Sequence, residues 1–394
     1  MEPTSKGYFL SQPHQPFFLA GVLWSIISVL LFGLSYKGVL SSDMNPQAFH
    51  SYSFIFIVFT QFFIGFIFTT FPKFCQSDLI EKPYYVKIFL LLQGGALLFT
   101  LGNFLHVNLL FGGVSLILIA NIMVVYRLYN IYKTGRLSQA SSDPFWIFMG
   151  FVFSLIAHLL FLGYVASNNT LLYTLAVQIG FYNYLIFLAF TVGQRMIPFF
   201  SHYMGAKIKY FTATVFSLLL AKSVTALLGL HYIEVLIDLG LAAYLLKEIL
   251  RWKLQPLESP AILWVLHLAL LWLPIALFIG ALATLAETIS GNSFAAMQIH
   301  LLAIGFLTTV LIGFGTRVTL GHSGQPPNAD RFTTNLFWFI QAVVLIRALY
   351  SLQMGLELNL FWFFDFSMTL WIILFALWAW RFVPVLYWGK KLDS

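Results

Sequence analysis

The sequence is short of charge and of cysteine. Asp, Glu, Lys and Arg make up 9% of the 394 residues, against about a quarter in soluble domains, while apolar residues make up 60%. This composition excludes a soluble globular domain. The one cysteine, Cys75, also excludes an internal disulfide, a Cys-x-x-Cys zinc site and a thiolate-ligated iron–sulfur cluster within one chain.

Long apolar runs take the place of the missing charge. A helix needs about 20 apolar residues to cross a bilayer core of about 30 Å. Twelve runs approach that length: 17–34, 50–71, 86–105, 107–126, 145–166, 171–192, 211–230, 233–249, 261–284, 296–315, 335–352 and 360–386. Because each span must satisfy its backbone hydrogen bonds internally, we predict an all-α polytopic membrane bundle of about twelve transmembrane helices.

The cations support this count and indicate an orientation. Groups of two or three Lys or Arg residues follow the even-numbered runs, whereas the alternate loops contain only Lys37. Because positive loops face the cytoplasm, we expect residues 1–394 to form one twelve-helix domain with cytoplasmic ends at 1–16 and 387–394. Residues 1–16 are polar and do not resemble a cleaved signal peptide. The same rule explains the net charge of +7 without a nucleic-acid partner.

Four ionisable residues fall inside or beside the apolar runs. Lys222 and Asp238 lie at similar distances from the turn near His231, and Arg347 and Asp365 flank the last turn in the same way. Charges inside a membrane are costly and commonly paired. We therefore predict two ion pairs, Lys222 with Asp238 and Arg347 with Asp365.

The predicted topology places four of the nine histidines near the outer ends of their spans. They are His50, His106, His231 and His300. Haem iron binds one or two axial imidazoles, and copper binds imidazoles and thioethers. Met297 and His300 are three residues apart and share a helix face, so they suit a soft or borderline metal.

A second polar group lies on the predicted cytoplasmic side. It includes Arg195, Arg317 and His322. Arginines beside a haem can pair with its propionates, and simple anchoring at the positive side is the alternative.

Four segments carry a resemblance to a known family. They are HQPFFLAGVLW, FHSYSFIFIVFTQFFIGFIFTTFPKF, GQRMIPFF and HLLAIGFLTTVLIGFGTRVTLGHSGQP. They resemble the R-P-F-F-L-L-A, W-H-x-H-E, G-R-V-I-P-F-F and T-R-V-S-L-G-H-T-G-R-P motifs of the NnrS family of haem- and copper-containing membrane proteins linked to nitric oxide stress. The order of the segments suits the whole chain.

The resemblance can be carried over residue by residue. Five residues match motif positions: His50, His300, Arg317, His322 and Arg195. Three positions depart from the motifs. Gln15 stands where arginine is usual, and Tyr52 and Ser53 stand where H-x-H-E has its second histidine and its glutamate.

The resemblance implies a haem protein of the bacterial cytoplasmic membrane that handles nitric oxide or another diatomic ligand, or protects against nitrosative stress. His50 and His300 are then the first axial pair, with His106 and His231 as substitutes. Arg195, Arg317 and His322 would organise the cytoplasmic side. Copper would be held by His50, His300 and Met297. Whether the protein is an enzyme, and its oligomeric state, stay open.

Two other functions are compatible with the sequence. A transporter or channel would use polar groups in the membrane, for which Lys222, Asp238, His158 and Asn183 are available. A terminal-oxidase-like enzyme would also suit twelve spans with histidines, but the adjacent histidine pair of that family is absent.

Overall fold

The computed structural model describes residues 7–203 and 205–392, and within these residues the chain forms twelve helices and no strand. The helices are α1 His14–Tyr36, α2 Pro46–Cys75, α3 Lys82–Leu105, α4 Val107–Thr134, α5 Asp143–Ser167, α6 Thr170–Phe200, α7 Phe211–Leu227, α8 His231–Arg251, α9 Ala261–Ser290, α10 Met297–His322, α11 Arg331–Gly355 and α12 Trp362–Trp388. The ends of the expected terminal segments, 1–6 and 393–394, lie outside this description.

Each apolar run of the sequence is one of these helices, so the polytopic all-α prediction is confirmed. Among the described residues, ten helices are long and apolar enough to cross a membrane. The other two are α7, with 17 residues, and α8, which carries several charged side chains. The helices also extend beyond the runs. Thus α1 begins at His14, inside the segment expected to be a polar terminus, and α10 continues to His322.

A single residue, His106, separates α3 from α4. Its backbone is extended, with φ of −167°, and its Nδ1 accepts a hydrogen bond from the backbone N–H of Asn108 at 3.1 Å. The side chain therefore caps the start of α4. This boundary is where the sequence predicted it.

The two helices on either side of His106 approach each other through glycine. A Cβ on Gly102 would overlap the backbone of Leu110, and one on Gly113 would overlap the backbone of Phe99. Small residues that allow helix backbones to approach closely are typical of membrane interfaces. The α3–α4 hairpin is therefore fixed by backbone contact.

Three helices, α2, α6 and α10, are more enclosed than the rest. In their most apolar stretches 89%, 78% and 83% of the residues are buried, against at most 61% in the other membrane-length helices described. Each contains a π-helical segment: Ser53–Phe59, Ile179–Ile186 and Leu301–Thr308. Such segments occur frequently at functional sites.

The contacts divide the chain into two compact units. Unit 1 comprises the described parts of Met1–Leu185, Val318–Gln325 and Phe375–Ser394, and unit 2 comprises Ile186–Arg317 and Pro326–Leu374. His50 and His322 belong to unit 1, whereas His300 and the two motif arginines belong to unit 2. The single twelve-helix domain stays a prediction.

Candidate functional site

His50 of unit 1 lies near the start of α2, among aromatic rings. The side chain of Asn45 accepts a hydrogen bond from the backbone N–H of Gln47 at 2.8 Å and so caps this helix. The centroid of the His50 ring lies 4.3 Å from that of Phe32 and 4.6 Å from that of Phe54. These rings give the imidazole an apolar surrounding, as suits an axial ligand of haem.

Tyr52, one of the three departures from the family motifs, faces the histidine in the middle of α5. Its hydroxyl lies 3.1 Å from Nε2 of His158, and both side chains are completely buried. Phe56 and Phe161 pack around the phenol ring at 5.1 and 4.6 Å between centroids. The residue at the second histidine position of H-x-H-E therefore faces His158, and here it is a tyrosine phenol instead of an imidazole.

His300 of unit 2 is held by Arg347 of α11. Nη2 of the guanidinium lies 2.9 Å from Nδ1 and 3.2 Å from Nε2 of the imidazole. The same guanidinium donates to the carbonyl oxygen of Ala295 at 3.1 Å and to the hydroxyl of Ser351 at 2.6 Å. Arg347 therefore connects α11 to the start of α10.

The expected pair between Arg347 and Asp365 is not formed in the part of the chain that the structure describes. The guanidinium bonds to His300, Ala295 and Ser351 instead. Asp365 lies in the first turn of α12, where the positive end of the helix dipole stabilises a carboxylate. Equal distance from a turn predicted the depth of the two residues but not the helix face on which each lies.

The other outer histidines contact residues that are close to them in sequence. Nδ1 of His106 caps α4, and Nδ1 of His231 lies 3.6 Å from Oε2 of Glu234. A carboxylate beside Nδ1 of a histidine is compatible with metal binding through Nε2. Met297 is buried one turn before His300, but no group of three or more His, Cys, Asp or Glu residues gathers within the described chain.

The two motif arginines lie in unit 2. The guanidinium carbon of Arg317 lies 4.1 Å from the ring centroid of Phe200, a cation–π contact. Arg195 is partly buried in α6. The arginine of the T-R-V motif is therefore positioned by an aromatic face of the I-P-F-F segment.

His322 forms a pair that the sequence did not predict. Its ring centroid lies 4.9 Å from that of His14, at an interplanar angle of 56°. His14 is 1% exposed, and its Nδ1 is buried without a hydrogen-bond partner among the described residues. Two imidazoles from the start of α1 and the end of α10 thus meet within unit 1.

Lys222 and Asp238 are in contact, and two further residues join them. Nζ of Lys222 lies 2.7 Å from Oδ2 of Asp238 and 2.7 Å from Oε1 of Glu234. Nε2 of Gln298 donates to Oδ2 of Asp238 at 2.6 Å. We call these four residues the Lys222 cluster. It joins α7, α8 and α10 of unit 2.

A family model described as NnrS protein matches residues 8–388, nearly the whole chain. The chain belongs to the NnrS family. Individual curated proteins give no significant match. The family match spans all twelve helices of this NnrS protein, and therefore includes every candidate residue described above.

The candidate ligand residues of this NnrS protein differ in whether they suit haem or a single metal ion. His50 offers an imidazole in aromatic surroundings, and an imidazole is a common ligand of haem iron. The ring nitrogens of His300 already face Arg347, so an iron bond there would compete with the guanidinium. The rings of His14 and His322 are too close for a porphyrin between them, but they could share one small metal ion.

Sequence reasoning missed His14, Glu234 and Gln298 as site residues. The signal for His14 was present, because it opens the first motif segment and α1, but its partner is more than 300 residues away in sequence. Glu234 lies one helical turn before Asp238 and could have been recognised from the helical spacing. Nothing in the sequence indicated that Gln298 faces Asp238.

Proposed function

We propose that this NnrS protein binds haem in the cytoplasmic membrane of a bacterium and handles nitric oxide or protects against nitrosative stress. The family match over residues 8–388 carries the proposal. The cation pattern of the loops supports cytoplasmic termini. The aromatic surrounding of His50 supports an axial ligand in unit 1.

Within the proposed site, each residue has a separate task. His50 would hold the haem iron through its imidazole, and Phe32 and Phe54, which pack against this ring, would help to exclude water from it. Haem, when bound, supplies an iron that takes a diatomic ligand such as nitric oxide. His300 is the corresponding candidate of unit 2, and its ring would hold iron only in exchange for the contact with Arg347.

We expect the purified full-length protein to be red-brown, with a Soret band that shifts when nitric oxide or carbon monoxide is added. His50→Ala removes the axial imidazole, so the band should be lost or displaced in an absorption spectrum. His300→Ala tests the second candidate in the same way.

His202→Asn is the matched control for both variants. It removes an exposed imidazole, and asparagine tolerates the left-handed backbone at that residue, where φ is 58°. A folded, colourless preparation would contradict haem binding and favour a transporter or channel. Unchanged spectra in both His50→Ala and His300→Ala would transfer the ligand role to His106 or His231.

We further propose His14 and His322 as the copper ligands of unit 1, in place of the set His50, His300 and Met297. Two adjacent imidazoles are a donor set that copper accepts, and the buried Nδ1 of His14, which has no hydrogen-bond partner among the described residues, could offer its lone pair to a metal.

We expect His14→Ala and His322→Ala each to lose the bound copper, measured by elemental analysis of purified protein. The absorption spectrum of haem should stay unchanged in both variants, because His50 is untouched. His202→Asn should keep its copper. Equal copper content in the natural protein and in all three variants would exclude His14 and His322 as the copper site.

A further inference from the structure

The Lys222 cluster contains more negative than positive charge. Lys222 contributes one positive charge, and Glu234 and Asp238 contribute two negative ones, so the cluster has a formal charge of −1 when all three are ionised. The side chains of Lys222 and Asp238 are 0% exposed, and that of Glu234 is 11% exposed. An uncompensated charge in such surroundings is costly, because it is removed from water without a partner of opposite sign.

The two oxygens of Asp238 are in different situations. Oδ2 accepts hydrogen bonds from Nζ of Lys222 at 2.7 Å and from Nε2 of Gln298 at 2.6 Å. Oδ1 is buried and has no hydrogen-bond partner among the described residues. A proton on Oδ1 would cancel the excess charge, and it would leave both bonds to Oδ2 in place.

The position of Gln298 is constrained by its neighbours. A Cβ on Gly280 of α9 would overlap the Gln298 side chain, so glycine at that residue gives the amide room to reach Asp238. The position of Gln298 in the cluster therefore depends on the packing between α9 and α10, and not only on the length of its side chain.

A line of ionisable side chains leads from the helix start to Asp238. His231, Glu234 and Asp238 lie at successive turns of one face of α8. His231 is 49% exposed, and its Nδ1 lies 3.6 Å from Oε2 of Glu234. Glu234 in turn contacts Lys222, the partner of Asp238. Exposure thus falls stepwise from the end of the helix to the buried carboxylate.

We propose that Asp238 is a buried proton-binding site, which takes up one proton at Oδ1 through the Glu234 side of the cluster. The reaction is the addition of one proton to one carboxylate, and it needs no co-reactant. The proposal does not rest on haem or copper binding, because the haem candidate His50 and the copper pair His14 and His322 belong to unit 1, whereas the Lys222 cluster belongs to unit 2.

The charged groups on the neighbouring elements are few. In α7 the only one is Lys222. Helix α9 has two titratable residues, His267 and Glu287, which bond to the hydroxyl of Ser201 and the backbone N–H of Phe294. In α10, Gln298 is neutral and His300 is held by Arg347. Lys222 and Glu234 are therefore the charges that set the proton affinity of Asp238.

Infrared difference spectroscopy between acid and alkaline pH tests the proposal on the purified full-length protein in lipid vesicles. We expect a carbonyl-stretch band of a protonated carboxylic acid that shifts in deuterated water and is lost in Asp238→Asn. Glu287→Gln is the matched control, since it removes another acid of unit 2 and should keep the band. Loss of the band in Glu287→Gln and its persistence in Asp238→Asn would overturn the proposal.

Glu234→Gln provides a second test if Asp238→Asn does not fold. Without Glu234 the remaining pair is neutral while Asp238 is ionised, so the band should appear only at lower pH than in the natural protein. An unchanged pH midpoint would contradict the proposal. A band that responds to sodium ion concentration at constant pH would also overturn it, because the bound species would then be a metal cation.

Discussion

Lys222→Met should lower the free energy of unfolding by about 3–5 kcal/mol, the range typical of breaking a buried ion pair by removing one partner. The methionine has a similar length and fills the same space. It leaves the carboxylates of Glu234 and Asp238, which now contact Lys222 at 2.7 Å, facing each other without a cation. The loss is electrostatic rather than a matter of packing.

Reversible unfolding in detergent, followed by tryptophan fluorescence, measures this effect. Lys247→Met is the matched control, because Lys247 is an exposed residue of α8 and its replacement should change stability little. Combining Lys222→Met with Glu234→Gln and Asp238→Asn should restore most of the loss. If Lys222→Met alone were as stable as Lys247→Met, the cluster would not contribute to stability.

Gly113→Val should prevent stable packing of the α3–α4 hairpin. A Cβ at this residue would overlap the backbone nitrogen of Phe99, and backbone atoms cannot move aside as a flexible side chain can. Overpacking typically costs about 1–3 kcal/mol, occasionally more. A backbone clash in a helix pair that depends on close approach should lie at or above the upper end of that range.

The neighbouring residue provides the control. Gly112 lies in the same helix turn, and a Cβ there would have no atom within 4 Å. We expect Gly112→Val to fold and to unfold at the temperature of the natural protein, whereas Gly113→Val should give little folded protein by size-exclusion chromatography. Similar yields and melting temperatures for the two variants would show that α3 and α4 do not need this contact.

Much of the helical architecture could be predicted without coordinates. A helix that crosses a bilayer needs a long apolar stretch, so the helices can be recognised from the hydropathy of the sequence. Even the one-residue break at His106 was predictable. The helix ends were less accurate, because polar residues such as His14 continue a helix when tertiary contacts cover them. The π-helical segments of α2, α6 and α10 leave no comparable pattern in the sequence.

The candidate site was less predictable than the helices. The depth of a residue in the membrane follows from its position in a span, and this was enough to predict the contact between Lys222 and Asp238. The rotation of a helix about its own axis depends on what packs against it, and for Arg347 the neighbours proved to be His300 and Ser351. The His14–His322 pair joins two residues that are more than 300 positions apart in the sequence, so no local sequence pattern indicates the contact.

The sequence by itself therefore determined the number of helices, their approximate bounds and the membership in the NnrS family, because hydropathy and motif spacing are properties of consecutive residues. Only the tertiary structure decided which side chains meet: Tyr52 with His158, His14 with His322, and Gln298 with Asp238. Those contacts depend on helix rotation and on the space left by residues such as Gly280. These are set by packing between helices that are far apart in sequence.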